Sequence, residues 1–129
     1  FICAKSLYGN ETEVFDVKSI PSNYSCYDIG NKTVTLFEKI ILKSKKIIWN
    51  GPMGVFEIDK FSTGTFNICN MVASSTHKGT FSLVGGGDSV ASVKINNKEK
   101  NISFISTGGG ALLEYIANGT LPSLELIKS

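Results

Sequence analysis

The sequence predicts an α/β domain built on a parallel β-sheet, and two observations carry that prediction. Short β-forming runs alternate with segments whose apolar residues recur at helical spacing, the order that packs helices onto a parallel sheet. Three of the runs end directly in glycine-rich loops, Asn50–Gly54, Gly85–Asp88 and Ser106–Gly110. In one parallel sheet such loops share the carboxyl edge, where open α/β sheets bind their ligands.

The elements follow in order. Phe1–Ala4 reads as the end of a strand, and an opening in mid-strand raises the expectation of an upstream segment. Ser6–Glu13 is polar and turn-like, Glu13–Val17 a short edge strand, and Ile20–Gly30 a loop marked by Pro21, Asn23 and Gly30. From Thr33 to Lys45 the apolar Val34, Phe37, Ile40 and Ile41 recur at helical spacing, with Asn31 or Thr33 as the expected N-cap. Lys46–Trp49 is a short apolar strand, with Trp49 a core residue, stopped by Asn50-Gly51-Pro52-Met53-Gly54. Phe61, Thr65, Ile68, Cys69 and Val72 mark a second amphipathic helix ending before Gly79. Thr80–Val84 is a strand, Ser89–Lys94 a helical turn or two, Asn96–Asn101 a polar loop or hairpin and Ile102–Ile105 a strand. A last helix is expected over Ala111–Ala117 with Gly119 as its C′ residue, then an apolar tail after Pro122.

At 129 residues the chain is one domain or a piece of a larger one. Its 42 % hydrophobic and 19 % charged content, with eight Phe, excludes a disordered chain. No run approaches the roughly 18 apolar residues of a membrane span. A net charge of +2 is too near balance for a nucleic-acid arm. All thirteen basic residues are Lys, so no guanidinium is present to clamp a phosphate, although a codon bias toward Lys and Asn explains the same absence. Cys3, Cys26 and Cys69 are odd in number and widely spaced, which fits neither a disulfide framework nor a zinc site and favours a reducing compartment. Five N-x-[ST] triplets, at Asn10, Asn23, Asn31, Asn101 and Asn118, set a secreted glycoprotein against that reading.

The chemistry lies in the loops. Consecutive glycines let the backbone approach a ligand closely, and a helix starting just beyond aims unsatisfied N–H groups and partial positive charge at it. Phosphate is the natural occupant, although triple glycines also serve as plain tight turns. This arrangement occurs at Gly85–Asp88 and again at Gly108–Ala111. Asp88 has two roles open to it: holding Mg²⁺ beside an anion, or capping the helix that begins near Ser89. Glu57 is placed either to accept hydrogen bonds from vicinal hydroxyls or to stand as a solvated acid. His77 lies at a polar helix end and reads as a partner for the helix dipole rather than a base. No nucleophile–base pair, His/Cys metal cluster or G-x-x-x-x-G-K-[ST] motif is present.

Three strings, Trp49-Asn50-Gly51-Pro52-Met53-Gly54-Val55-Phe56-Glu57, Gly85-Gly86-Gly87-Asp88-Ser89 and Ser106-Thr107-Gly108-Gly109-Gly110-Ala111, closely resemble the carboxyl-terminal motifs of the phosphoglycerate kinases. The resemblance covers essentially the whole chain but only the last third or so of a family member. It implies a partial Rossmann-like three-layer nucleotide-binding domain, one half of a two-domain hinge enzyme, with residues 1–106 in that domain and 107–129 a hinge helix and tail returning to an absent amino-terminal domain. The implied activity is reversible phosphoryl transfer between 1,3-bisphosphoglycerate and ADP, with Mg²⁺ and no covalent enzyme intermediate, by a cytoplasmic protein that is monomeric at full length. By resemblance, Asn50, Gly51, Pro52 and Val55 line the nucleotide pocket and Glu57 binds the ribose. Gly86, Gly87, Asp88 and Ser89 take the phosphates, Asp88 also holding Mg²⁺, and Thr107, Gly108, Gly109 and Gly110 face the phosphoryl group in flight. Cys26 and Tyr27 border the base. The chain departs from the family pattern at Cys26, where Gly is usual, at Phe104, where His is usual, at Leu7, where a base-packing Phe is common, and at Ser123, where Gly usually follows the tail Pro. The implied activity belongs to the full-length parent, this piece alone being inactive. A non-catalytic nucleotide-binding remnant is the alternative.

Overall fold

The computed structural model describes residues 1–106. The expected helix over 111–117, its Gly119 cap, the tail after Pro122 and the loop residues Thr107, Gly108, Gly109 and Gly110 lie outside the described residues.

Two small sheets organise the chain. In the first, β1 (Ile2–Ala4) lies between β2 (Glu13–Val14) and β3 (Ser25–Asp28), antiparallel to both. Strand β3 falls inside the segment expected to be a loop. Its Ser-Cys-Tyr-Asp run has no apolar alternation, and only pairing with β1 makes it a strand. Ile2 faces Asp28 while Cys3 faces Cys26, so Tyr27 is an extra residue opposite β1. Such a bulge frees the backbone of the extra residue from the ladder and re-aims its side chain. Tyr27 uses both freedoms: its ring packs on Phe61 at 5.0 Å between centroids, and its carbonyl accepts the Val55 N–H at 2.9 Å.

In the second sheet, β4 (Lys46–Asn50), β5 (Phe81–Gly85) and β6 (Phe104–Ser106) run parallel in that spatial order. Helix α2 (Thr63–His77) joins β4 to β5, and α3 (Gly87–Ile95) joins β5 to β6. Helix α1 (Asn31–Lys43) precedes β4. Its N-cap is Gly30 with no side-chain cap, so neither Asn31 nor Thr33 serves that function. The face expected to be apolar is also narrower than predicted. Val34 is buried and Phe37 and Ile41 pack on the core, whereas Ile40 is 57 % exposed.

The α2 stripe follows the spacing closely: Thr65, Ile68, Cys69 and Val72 are all buried, with Phe61 in the short 3-10 turn Asp59–Phe61 just ahead. The helix stops at Gly79 (φ 112°), where the Gly79 N–H bonds Thr76 O and the Thr80 N–H bonds Ser75 O, a Schellman ending. Helix α3 is longer than the turn or two expected, and it closes at Asn97 in the left-handed region (φ 56°) before the 3-10 turn Glu99–Asn101. The core gathers Ile29, Val34, Trp49, Ile68, Cys69, Val72, Val84, Val90, Val93 and Ile102. Each fully buried aliphatic side chain there contributes about 1.5–3 kcal/mol. Trp49 is a core residue, as its sequence context suggests.

Candidate functional site

Parallel register brings the three glycine loops to one edge. Asn50 at the end of β4 pairs with Gly85 at the end of β5, which pairs with Ser106 at the end of β6. The three strands therefore finish in a single row, and each loop leaves from it.

The loop after β4 is pinned throughout. The Trp49 Nε1–H donates to Gly51 O at 2.6 Å, folding the loop back over its own strand. The Gly51 N–H donates to Ser89 Oγ at 2.5 Å. The Met53 and Gly54 N–H groups both donate to Thr65 Oγ1, at 3.1 and 3.2 Å, and the Val55 N–H donates to Tyr27 O. Every backbone donor from Gly51 to Val55 is thus engaged within the protein, Pro52 having none. Close packing fixes the loop further, because a Cβ at Gly54 would meet Tyr27 O and the Asp28 carboxylate. This loop is a wall with a fixed shape, its backbone donors from Gly51 to Val55 already occupied. Val55 and Pro52 are half-buried in it, and Glu57 stands exposed at its far end.

The loop after β5 is the opposite case. Gly86 takes φ 88° and ψ 140°, a conformation open essentially to glycine alone. Its missing side chain leaves room for Asn50 Oδ1, 2.5 Å from where a Cβ would stand. The Gly86 carbonyl accepts the first helical bond of α3, from Val90 N–H, and no side chain caps the helix. The N–H groups of Gly87, Asp88 and Ser89 lie in the first turn, where no intrahelical acceptor exists. Gly87 and Asp88 are exposed, and among the described residues no hydrogen bond reaches the Asp88 carboxylate. Asp88 is not the cap, since the helix has already begun at Gly87. An acid in this position is favourably placed against the helix dipole.

Ser89 is fully buried beneath both loops, where its hydroxyl bridges them through Gly51. Cys26 is exposed on β3, and Tyr27 borders the wall through Val55. The structure therefore unites Asn50, Gly51, Gly86 and Ser89 at the sheet edge and Tyr27 with Val55 beside it. Thr107, Gly108, Gly109 and Gly110 begin just past Ser106, outside the described residues.

The start of α2 is also a helix N-terminus, but an internal carboxylate serves it. Asp28 Oδ2 accepts the Gly64 N–H at 2.9 Å and Oδ1 accepts the Ile29 N–H at 2.8 Å. Burial pushes the Asp28 carboxyl above the ordinary carboxylate range, and those two donors partly counter it. A Cβ at Gly64 would overlap the Asp28 carboxylate. Asp28, Thr65 and Gly64 are site-building residues that the sequence alone did not single out. The one available signal was Gly64 in a helix start, a costly residue there unless something approaches closely. His77 sits in the last turn of α2, as expected of a dipole partner. A cavity of about 870 Å³ between β2 and the start of α1 touches none of the loop residues. The donors and the carboxylate, rather than cavity size, locate the candidate site.

An exposed carboxylate in the first turn of an uncapped helix is a chemically suitable donor for a divalent cation such as Mg²⁺, which takes one or two carboxylates and completes its shell with other oxygens. The described residues contain no cluster of three or more metal-ligating side chains, and Asp88 stands singly in the first turn of α3.

Parallel strands ending together in glycine loops, with first-turn helix N–H groups and an exposed acid at the shared edge, define an α/β domain of the open parallel-sheet class. The sequence model of the phosphoglycerate kinase family matches residues 1–119, and the chain belongs to that family. It is 48 % identical over 118 residues to the phosphoglycerate kinase of Prosthecochloris aestuarii, covering 92 % of this chain and 30 % of the relative. The structure of phosphoglycerate kinase from Coxiella burnetii superposes with a TM-score of 0.83 at 38 % identity, covering 98 % of this chain and 32 % of that one. The enzyme from Pyrococcus horikoshii gives 0.76 at 36 % identity, with 99 % and 31 % covered. The chain thus spans about a third of the length of the relatives it matches, and its fold is the corresponding part of their α/β architecture.

Proposed function

We propose that the full-length protein is a phosphoglycerate kinase, transferring a phosphoryl group reversibly between 1,3-bisphosphoglycerate and ADP to give 3-phosphoglycerate and ATP, and that this chain supplies the nucleotide half of its site. The observation that supports the reading best is the row Asn50–Gly85–Ser106, which sets a rigid wall beside an open helix N-terminus. The wall from Asn50 to Val55, with Tyr27 and Cys26 at its border, holds the nucleoside, and Glu57 takes the ribose hydroxyls. The N–H groups of Gly87 and Asp88 bind the nucleotide phosphates, and Gly86 permits their approach. Ser89 serves from beneath, fixing Gly51 against the phosphate turn.

Asp88 would hold Mg²⁺, which neutralises phosphate charge when bound. Thr107, Gly108, Gly109 and Gly110 face the transferring group, and residues 107–129 lead back to the companion domain. Direct in-line transfer asks for positioning and charge neutralisation more than covalent chemistry, and a pinned loop provides positioning. With no Arg in its sequence, this piece has no guanidinium for the transferring phosphoryl, so that partner comes from the companion domain and the piece alone is inactive. We place the full-length protein in the cytoplasm as a monomer.

The test is a coupled assay of the full-length protein with ATP and 3-phosphoglycerate, wild type against Asp88→Asn. Turnover in the wild type and a loss of at least a hundredfold in the variant are expected. Binding of ADP without turnover would replace this reading with that of a non-catalytic remnant.

A further inference from the structure

The β1–β3 pairing creates a feature that sequence spacing conceals. Cys3 and Cys26, twenty-three residues apart, are directly opposed across the antiparallel ladder, with their sulfurs 3.2 Å from each other. Directly opposed residues in such a ladder hold their Cβ atoms about 4.5–5.5 Å apart, close to the separation a disulfide spans. The two thiols are unequal. Cys3 is fully buried and Cys26 is exposed, so an oxidant meets Cys26 first. Cys69, the third cysteine, is buried in the core cluster with neither of the others.

We propose that Cys3 and Cys26 form a reversible dithiol–disulfide site that clamps β1 to β3 beneath the wall of the nucleotide site. The chemistry needs a hydroperoxide as oxidant. Attack of Cys26 Sγ breaks the peroxide O–O bond and gives the sulfenic acid, the thiol proton leaving with the other oxygen as water or alcohol. The Cys3 sulfur then attacks Cys26 Sγ. The S–S bond forms as the S–OH bond breaks, and the Cys3 proton leaves with the hydroxyl as water. Two thiols lose two hydrogens and two electrons, and the peroxide gains them. Burial and the neighbouring Cys26 push the Cys3 thiol up to about 11, so Cys3 stays protonated until its partner is activated. A small dithiol reverses the bond by two exchange steps. In a reducing compartment a disulfide that cycles in this way acts as a sensor rather than as a framework.

The clamp reaches the site through one residue. Tyr27 follows Cys26 in the bulge, and its carbonyl holds the Val55 N–H. Tying Cys26 to Cys3 stiffens the strand from which that carbonyl projects. This last step rests on the nucleotide reading above; the disulfide itself does not.

The experiment treats the full-length protein with hydrogen peroxide and maps the digest by mass spectrometry without reduction. A Cys3–Cys26 cross-linked peptide pair lighter by two hydrogens, restored by dithiothreitol and absent from Cys26→Ser, is the expected result. Cys26 is exposed, so that variant is expected to keep the fold, and because Cys26 borders the wall its ADP affinity is compared only with its own before and after peroxide. Oxidation of Cys26 to the sulfinic acid with no cross-link would overturn the site. ADP titration of the oxidised and reduced protein then reads the coupling. A change in Kd of threefold or more in the wild type, absent in Cys26→Ser, is expected, and an unchanged Kd in the cross-linked protein would overturn the clamp. Failure of the reduced protein to bind ADP would refute the nucleotide reading while leaving the cross-link result in place.

Discussion

Replacing Gly86 by Ala tests whether the glycine turn after β5 is built as described. At φ 88° and ψ 140° the backbone sits where a side chain is disfavoured, at a cost of about 1–3 kcal/mol. The new methyl would also stand 2.5 Å from Asn50 Oδ1, well inside contact distance. Asn50 is exposed and can turn away, so this second cost is a displaced rotamer of about 0.5–1.5 kcal/mol rather than a backbone shift. Together the two lower stability by about 2–4 kcal/mol, which at an m-value of about 1–3 kcal/mol/M moves the urea midpoint down by on the order of 1 M. Gly87 is the matched control. A Cβ there meets nothing within 4 Å, and the residue opens a helix. Gly87→Ala is therefore expected within about 1 kcal/mol of wild type, on the stable side. The assay is urea unfolding of the full-length protein for both variants, with ADP affinity measured alongside. Affinity is expected to fall further for Gly86→Ala, because Asn50 is driven off the site. Equal midpoints for the two variants would refute the backbone argument outright.

Three further outcomes follow from the pinned loop and its supports. Ser89→Ala removes the acceptor of the Gly51 N–H and is expected to cost about 1–2 kcal/mol and to weaken nucleotide binding, both read by melting with and without ADP. Gly54→Ala forces a methyl against Tyr27 O and Asp28, where backbone cannot yield cheaply; a loss of about 3 kcal/mol or more, seen as poor soluble yield and an early melt, is expected. For Asp28 the sign follows from its raised folded-state pKa. The folded protein binds that proton more tightly than the unfolded chain, so the stabilisation is complete below the ordinary Asp value of about 3.9 and is lost as pH rises through the folded value. The stability advantage of wild type over Asp28→Asn is accordingly expected to be largest in acid and to shrink with rising pH. A difference that grows from acid to neutral pH would contradict the assignment.

How much of this was legible depended on whether the signal was local. The strands around Trp49, Val84 and Ile105 and their glycine loops could be read directly, because β-formers running into Gly clusters punctuate the chain. The α2 stripe from Thr65 to Val72 also kept its period. Strand β3 was not legible, since Ser25–Asp28 has no alternation and becomes a strand only through a partner more than twenty residues away. The same long-range pairing hid the meeting of Cys3 with Cys26, which spacing alone set far apart. Ile40 fitted the helical period but stands exposed, because Val34, Phe37 and Ile41 already fill the core side of α1. Within the site, the residue types at the edge were readable, but the division of labour was not. Which loop carries open N–H groups depends on where Thr65, Ser89 and Tyr27 place their oxygens, and those positions exist only after folding.

That division has a thermodynamic consequence. The wall from Gly51 to Val55 is held by Trp49, Ser89, Thr65 and Tyr27 before any ligand arrives. Its loss of backbone freedom, about 1–2 kcal/mol for each residue, is therefore charged to the folding of the domain and not to association. A ligand entering beside it still loses its own freedom, but none of the contact energy is spent on ordering this loop.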